Sequence, residues 1–171
     1  YGFLIIIANA KHLCFAGSID TGYQFNCVLA NCFFDYMMIH PNPPSDTRKV
    51  INKSGNPGFM ARCLITGGAG FIGSHIVDAL LARGDEVVVI DNFFDSKREN
   101  LDHVKGRIEL VEGDIRDKEL MDRLCKGTDL IFHEAARRSV PASLNDPFEY
   151  NDVNINGTLN ILEAARKNDV K

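Results

Sequence analysis

The most chemically suggestive stretch of this chain is Thr66-Gly67-Gly68-Ala69-Gly70-Phe71-Ile72-Gly73, in which Gly67, Gly70 and Gly73 follow a G-x-x-G-x-x-G spacing. Each of the three glycines has a physical task in holding a diphosphate. Gly67 lets the chain leave a strand in a tight turn, Gly70 removes the Cβ that would block a pyrophosphate, and Gly73 lets a helix pack closely on the strand. The free N–H groups at the start of that helix, reinforced by its dipole, supply the anion site. Asp91 follows 24 residues after Gly67, near the ~20 expected for an acid that accepts hydrogen bonds from an adenosine ribose. A carboxylate there repels a 2′-phosphate, so NAD is favoured over NADP, although Lys97 and Arg98 lie close downstream. A strand-end Asp capping its own loop has the same signature. Asp114, in Gly113-Asp114-Ile115, is placed either to accept from an adenine amino group, with Ile115 against the ring, or to cap a helix beginning at Asp117.

These residues need strands and helices in strict alternation to bring them together. Ala61–Thr66 is a short apolar run stopped by Gly67-Gly68, the pattern of a buried strand. Phe71–Ala82 carries Ile72, Ile76, Ala79 and Leu80 at helical spacing, with Gly84 just past its end. Glu86–Asp91 reads as a second buried strand, rich in β-branched residues. Arg107–Glu112 reads as a third and Asp129–His133 as a fourth, with a helix over Asp117–Lys126 between them. Pro147–Asn168 reads as one long helix. The alternation predicts an α/β fold: a doubly wound parallel sheet with right-handed crossovers.

The stretches TGGAGFIGSHIVDALLARGDEVVVIDNF, EGDIRD, FHEAA and NDVNINGTLNILEAAR resemble the extended short-chain dehydrogenase/reductase family. Within it they are most similar to the NAD-dependent nucleotide-sugar epimerase/dehydratase branch, UDP-glucose 4-epimerase-like proteins in particular. The resemblance runs over Met60–Lys171 and covers none of residues 1–59. It implies a Rossmann fold in which Gly67, Gly70, Phe71, Ile72 and Gly73 hold the pyrophosphate of NAD. Asp91 and Asn92 would hold the adenosine ribose, and Asp114 and Ile115 the adenine. Ala135 and Ala136 would lie beside the nicotinamide ribose. Arg138 stands where some relatives carry a Lys that bonds that ribose, and Asn154 matches an Asn near the active site. Ser139 and Ser143 fall where relatives line the sugar pocket, though helix capping explains them and Asn154 equally well.

The reaction the resemblance implies oxidises a sugar at C4 and returns the hydride to the opposite face. A Tyr whose pKa is lowered by a Lys moves the proton. That pair sits in a Tyr-x-x-x-Lys motif in the family. Here Tyr150 is the only Tyr after Met60, and Asn154 stands where the Lys would be. The catalytic residues, the fifth and sixth strands and the substrate domain are therefore expected beyond Lys171, leaving an N-terminal fragment that does not turn over. Dehydration or decarboxylation of a nucleotide sugar, or cofactor binding without chemistry, are the alternatives. A UDP-sugar is the expected substrate, and pairing of two copies through long helices is the expected assembly.

Composition agrees with a globular enzyme domain. The 171 residues carry a net charge of −4 and are 45% hydrophobic and 25% charged, which speaks against a nucleic-acid surface. Five Cys without a C-x-x-C pair indicate neither a disulfide framework nor a zinc ribbon, so a cytoplasmic setting is expected. No zinc spacing links His12, His40, Cys14, Cys27 and Cys32, so no metal is expected. Charge is unevenly distributed: residues 1–59 hold only Lys11, Asp20, Asp35, Asp46, Arg48, Lys49 and Lys53. Their apolar runs are too short for the ~20 residues of a membrane span, and Pro41–Ser45 and Asn52–Gly58 read as linker. With Met60 just ahead of the first clear strand, residues 1–59 are expected to be disordered or upstream read-through, and 60–171 to be the NAD-binding domain.

Overall fold

The computed structural model describes residues 60–170 throughout. Upstream it describes only the backbone of β1 (Ile5–Ile7), β2 (Cys14–Phe15), β3 (Lys49–Ile51) and β4 (Pro57–Phe59). The linker readings within 41–48 and 52–56, and the reading of His12, Cys27, Cys32 and His40, lie outside the described residues. The chain divides into two compact units, one of residue 1 with 17–60, the other of residues 2–16 with 61–171. In the first, β3 and β4 pair antiparallel.

The second unit is built on β5 (Arg62–Thr66), α1 (Phe71–Arg83), β6 (Glu86–Asp91), β7 (Glu109–Glu112), α2 (Lys118–Cys125) and β8 (Leu130–His133). After β8 come α3 (Val140–Asn145), α4 (Pro147–Asn151), a π-helical turn over Asp152–Gly157, and α5 (Thr158–Lys167). β5 pairs in parallel with β6 on one side and β8 on the other, and β6 pairs in parallel with β7. The resulting order, β8-β5-β6-β7, is the doubly wound arrangement expected. β1 adds to the outer edge of β8, but antiparallel, with Ile5 opposite His133, and β2 pairs antiparallel with β1. The sheet is thus mixed at this side. The bare edge of a strand pairs in either direction, because its N–H and C=O groups point sideways.

Leu64, Val88, Ile90 and Ile131 from the strands pack with Leu120, Met121, Leu124, Ile161 and Ala165 from α2 and α5. β7 departs from the buried strand expected: it starts at Glu109, and Glu109, Leu110 and Glu112 are exposed, as befits an edge. A 3₁₀ turn over Arg98–Val104, whose Leu101 and Val104 are buried, was not legible in the pattern. The long helix expected over Pro147–Asn168 runs without a break from Pro147 to Lys167, with the π-helical turn inside it. Residue 146 precedes a proline and so avoids the α region. Asp146 accordingly breaks away (φ −138, ψ 74) and caps α4 through Glu149 N–H.

Candidate functional site

The glycine turn lies where the carboxyl ends of β5, β6 and β8 meet the start of α1, the crevice in which open α/β sheets take ligands. Gly67 turns with φ +69, and a Cβ there would come within 2.7 Å of Ala135 N. The loop after β8 therefore rests directly on the turn after β5. A Cβ on Gly73 would meet Gly67 O and, at 2.6 Å, Gly68 Cα. Gly70 is the N-cap of α1, with no side chain over the helix end. The first helical hydrogen bond is Ser74 N–H to Gly70 C=O, 3.0 Å. The N–H groups of Phe71, Ile72 and Gly73 precede it and form the donor end of the helix. The Phe71 ring stands exposed at this mouth.

Asp91 ends β6 and is buried. Its Oδ2 accepts from Ala69 N–H at 2.9 Å, and its Oδ1 from Phe93 N–H at 2.9 Å and Ser96 Oγ at 2.7 Å. A carboxylate has about four acceptor positions, so three bonds still leave it able to accept a ribose hydroxyl. Asp91 thus both caps its loop and ties the glycine turn to β6. Asn100, which sequence patterns did not mark, donates to Ala69 C=O at 2.8 Å from the 3₁₀ turn.

Asp114 does not cap α2; that is done by Asp117, which accepts from Leu120 N–H. Instead Arg116 closes on Asp114 through its own N–H, Nε and Nη2, at 2.9, 3.0 and 2.8 Å, and Asn92 Nδ2 donates to it at 3.1 Å. These bonds hold the Asp114 carboxyl down at about 2. Arg116 Nη1 continues to Glu149 at 2.8 Å, and Glu149 also takes Arg137 Nη2 at 3.2 Å. The Arg137 guanidinium lies 3.1 Å from the centroid of the Phe94 ring, joining the loop after β8 to the loop after β6. The Ile115 side chain is buried in the core, against the face that Gly157 leaves open.

Beyond β8, Ala136, Arg138 and Ser139 are exposed, while Ala135 and Ser143 are partly buried. Ser139 caps α3 through Ala142 N–H, and Ser143 Oγ donates to Val140 C=O at 2.7 Å. Asn154, in the π-helical turn, binds one residue of the β8 loop twice. Its Oδ1 accepts from Arg137 N–H at 2.8 Å, and its Nδ2 donates to Arg137 C=O at 2.9 Å. An extra residue in such a turn re-aims a side chain, and here the side chain reaches the loop that borders the crevice. Lys97 and Arg98 are both exposed, and Arg98 is engaged by Glu112 and lies over Phe93 at 3.9 Å.

Two titratable groups stand at the end of β8: His133, buried, and Glu134 just past it, half-buried. Burial holds the His133 imidazole down at about 4 and pushes the Glu134 carboxyl up to about 8. Among the described residues Glu134 Oε1 has no hydrogen-bond partner. Neither was marked as a site residue in the sequence, and Glu134 gave no signal beyond an acid in the apolar stretch Phe132–Ala136. Cys63 and Cys125 are free and buried, their thiols raised to about 12 and about 11 chiefly by desolvation. No group of His, Cys, Asp and Glu among the described residues could hold a metal.

Comparison with known proteins places this crevice in a family. The chain is 42% identical over 110 residues to a UDP-N-acetyl-alpha-D-glucosaminuronate decarboxylase of Bacillus cytotoxicus, covering 64% of this chain and 34% of that protein. It is 42% identical over 108 residues to a putative UDP-glucose 4-epimerase of Methanocaldococcus jannaschii, covering 63% and 34%. The structure of a Thermus thermophilus UDP-glucose 4-epimerase in complex with NAD matches with 46% identity and a TM-score of 0.57, over 64% of this chain and 35% of that one. The chain thus spans about a third of the length of these curated relatives. Residues 63–171 match the family model directly, and the chain belongs to the NAD dependent epimerase/dehydratase family.

Proposed function

We propose that this chain binds NAD in the crevice at the ends of β5, β6 and β8, and serves a nucleotide-sugar 4-epimerase of the UDP-glucose kind. The observation that carries the reading is the glycine cradle. A Cβ at Gly67 or Gly73 would collide with backbone, which brings the donor end of α1 and the Ala135 loop to one place. In this reading the N–H groups of Phe71, Ile72 and Gly73 face the pyrophosphate, and Gly67 and Gly70 let it approach. Asp91 and Asn92 take the adenosine ribose, and the backbone of Asp114-Ile115 borders the adenine, since the Asp114 carboxylate is already filled by Arg116 and Asn92 and the Ile115 side chain is buried in the core. Ala135 and Ala136 leave room for the nicotinamide ribose, which Arg138 reaches, and Asn154 holds their loop. Ser139 and Ser143 flank the sugar. The chemistry supplied by bound NAD is acceptance of hydride from the sugar C4 and its return to the other face. Proton transfer is assigned to no residue of this chain.

NAD is preferred to NADP because Asp91 is buried at the ribose position and Arg98 is paired with Glu112. Fluorescence titration of the 171-residue chain tests this: NADH saturates the binding curve and NADPH binds more weakly. Folded chain that takes up neither, or prefers NADPH, overturns the reading. The equal likeness to the Bacillus decarboxylase supports a second reading, loss of CO₂ from a UDP-sugar acid. Assay of the intact protein for C4 inversion of UDP-glucose against CO₂ release from UDP-glucuronate separates the two. Exposed Val140, Leu144, Phe148, Ile155 and Leu159 support self-association of the intact protein as a homodimer. A cytoplasmic setting is supported by two thiols that remain free and buried; among the described residues no helix is long and apolar enough to cross a membrane.

A further inference from the structure

His133 sits between two threonines, and with its ring neutral the hydrogen bonds around it permit only one arrangement of protons. Thr158 Oγ1 lies 2.7 Å from Asn154 C=O. A carbonyl only accepts, so the Thr158 hydroxyl donates there and must itself accept from His133 Nε2, 2.9 Å away. Nε2 therefore carries hydrogen. With the ring neutral, Nδ1 is bare and accepts from Thr66 Oγ1 at 2.6 Å. Thr66 Oγ1 in turn accepts from Ala135 N–H at 3.3 Å. The relay runs without a break from Ala135 N–H through Thr66, His133 and Thr158 to Asn154 C=O. The side chain of the same Asn154 then grips Arg137 N–H and C=O. Residues 135–137 are thus bound at both ends to one π-helical residue, once directly and once through the imidazole.

We propose that His133 is a positioning residue, fixed as its Nε2–H tautomer, that closes a hydrogen-bond circuit setting where the Ala135-Ala136-Arg137 backbone stands along the crevice. This rests on the reading of the crevice as a dinucleotide site, since that loop would border the cofactor. The circuit explains why a polar ring is placed in a core strand between β5 and the π-helical turn, where an aliphatic residue would pack as well. It also gives the π-helical turn a purpose: Asn154 presents its carbonyl to Thr158 and its amide to the loop at once.

The test uses the full chain and three substitutions. His133→Phe keeps a ring and removes both bonds. Thr158→Val removes the acceptor for Nε2–H. His133→Gln can donate and accept again. We expect His133→Phe and Thr158→Val each to weaken NADH binding about tenfold, the affinity equivalent of one buried hydrogen bond lost, with His133→Gln recovering part of the loss. The double variant should be no weaker than the worse single one, because both break one circuit. ¹⁵N NMR of the imidazole at neutral pH should report a neutral ring with hydrogen on Nε2. Folded His133→Phe that binds NADH as tightly as the unaltered chain overturns the proposal, as does a ring protonated on Nδ1. Should the unaltered chain not bind NADH, the dinucleotide reading falls, while the tautomer measurement still decides the circuit. Should His133→Phe not fold, Thr158→Val and the NMR signal decide it.

Discussion

Glu134→Gln should change how stability depends on pH, in a way that its neighbour His133 makes easy to read. In the unfolded chain Glu134 titrates near its ordinary 4.5, whereas burial raises it to about 8 in the fold. The folded state therefore keeps a proton that the unfolded state releases, and stability falls as pH rises through that window. A displacement of this size corresponds to about 5 kcal/mol at most, an upper bound because the side chain is partly exposed. His133 acts in the opposite sense. Its value drops from 6.5 to about 4 on burial, so the unfolded state binds the proton first. Up to about 3 kcal/mol is then lost as pH falls from 6.5 toward 4. In the unaltered chain the two slopes oppose each other between 4.5 and 6.5, and stability is nearly flat there before declining toward pH 8. Glu134→Gln removes one slope. Its stability should climb from pH 4 to 6.5 and then level off, and its advantage over the unaltered chain should grow steadily with pH. Urea unfolding of both proteins at pH 4.5, 6.5 and 8 measures this directly, because urea adds no charge. The amide's own hydrogen-bonding cost shifts the whole curve without tilting it, and the low-lying Asp114 tilts both curves equally. Parallel profiles would refute the placement of Glu134 as a half-buried acid that the fold keeps protonated.

Gly73→Ala sets a Cβ against Gly67 O and Gly68 Cα, backbone atoms that cannot swing aside, and should cost about 1–3 kcal/mol in urea unfolding while abolishing NADH binding. Gly106→Ala, at φ +82 with nothing within 4 Å, is the comparison: it should cost stability of about 1 kcal/mol and leave the NADH titration intact. Asn154→Ala frees Arg137 N–H and C=O; backbone amide hydrogen exchange at Arg137 should rise at least tenfold, against a loss of stability of about 1–3 kcal/mol.

The α/β alternation was legible because the inner strands β5, β6 and β8 are largely apolar on both faces and each helix has turn or capping residues at its limits. Val87–Ile90 could be little else, and Gly84 closes α1 through bonds to Leu80 and Leu81 carbonyls. The glycine turn and Asp91 were legible for the same reason, since their meaning depends on local geometry within one β-α-β unit. What the pattern hid depends on register between distant strands. Thr66 and His133 are 67 residues apart and meet only because β5 and β8 pair with those two residues opposite each other. No window along the chain contains that fact. Arg137, Glu149 and Arg116 joined a network for the same reason, Glu149 supplied by α4 and the two arginines by different loops. The last long helix was legible from its start, which Asp146-Pro147 announces, but the π-helical turn within it was not, because Thr158 and Asn154 find their partners, His133 and Arg137, in and just beyond β8.

Parallel register also decides which side chains can serve the crevice. Adjacent parallel strands end level with one another, so Thr66, Asp91 and His133 arrive together at the carboxyl edge. At that edge the backbone stops satisfying itself, and side chains must take over its loose donors. Asp91 takes Ala69 and Phe93, Thr66 takes Ala135, and Asn154 takes Arg137. The donors at the head of α1 come from a helix end that no capping side chain covers. A loop fixed by so many neighbours, beside a helix end left bare, concentrates an anion-binding field where the rest of the polar backbone is already satisfied. Filling the bare end with a carboxylate tests that contrast. Gly70→Asp would supply the missing cap, a gain of a few tenths of a kcal/mol over glycine offset by a Cβ 3.1 Å from Gly67 O, and should repel NADH. A folded variant that binds NADH undiminished would separate the helix end from the ligand site.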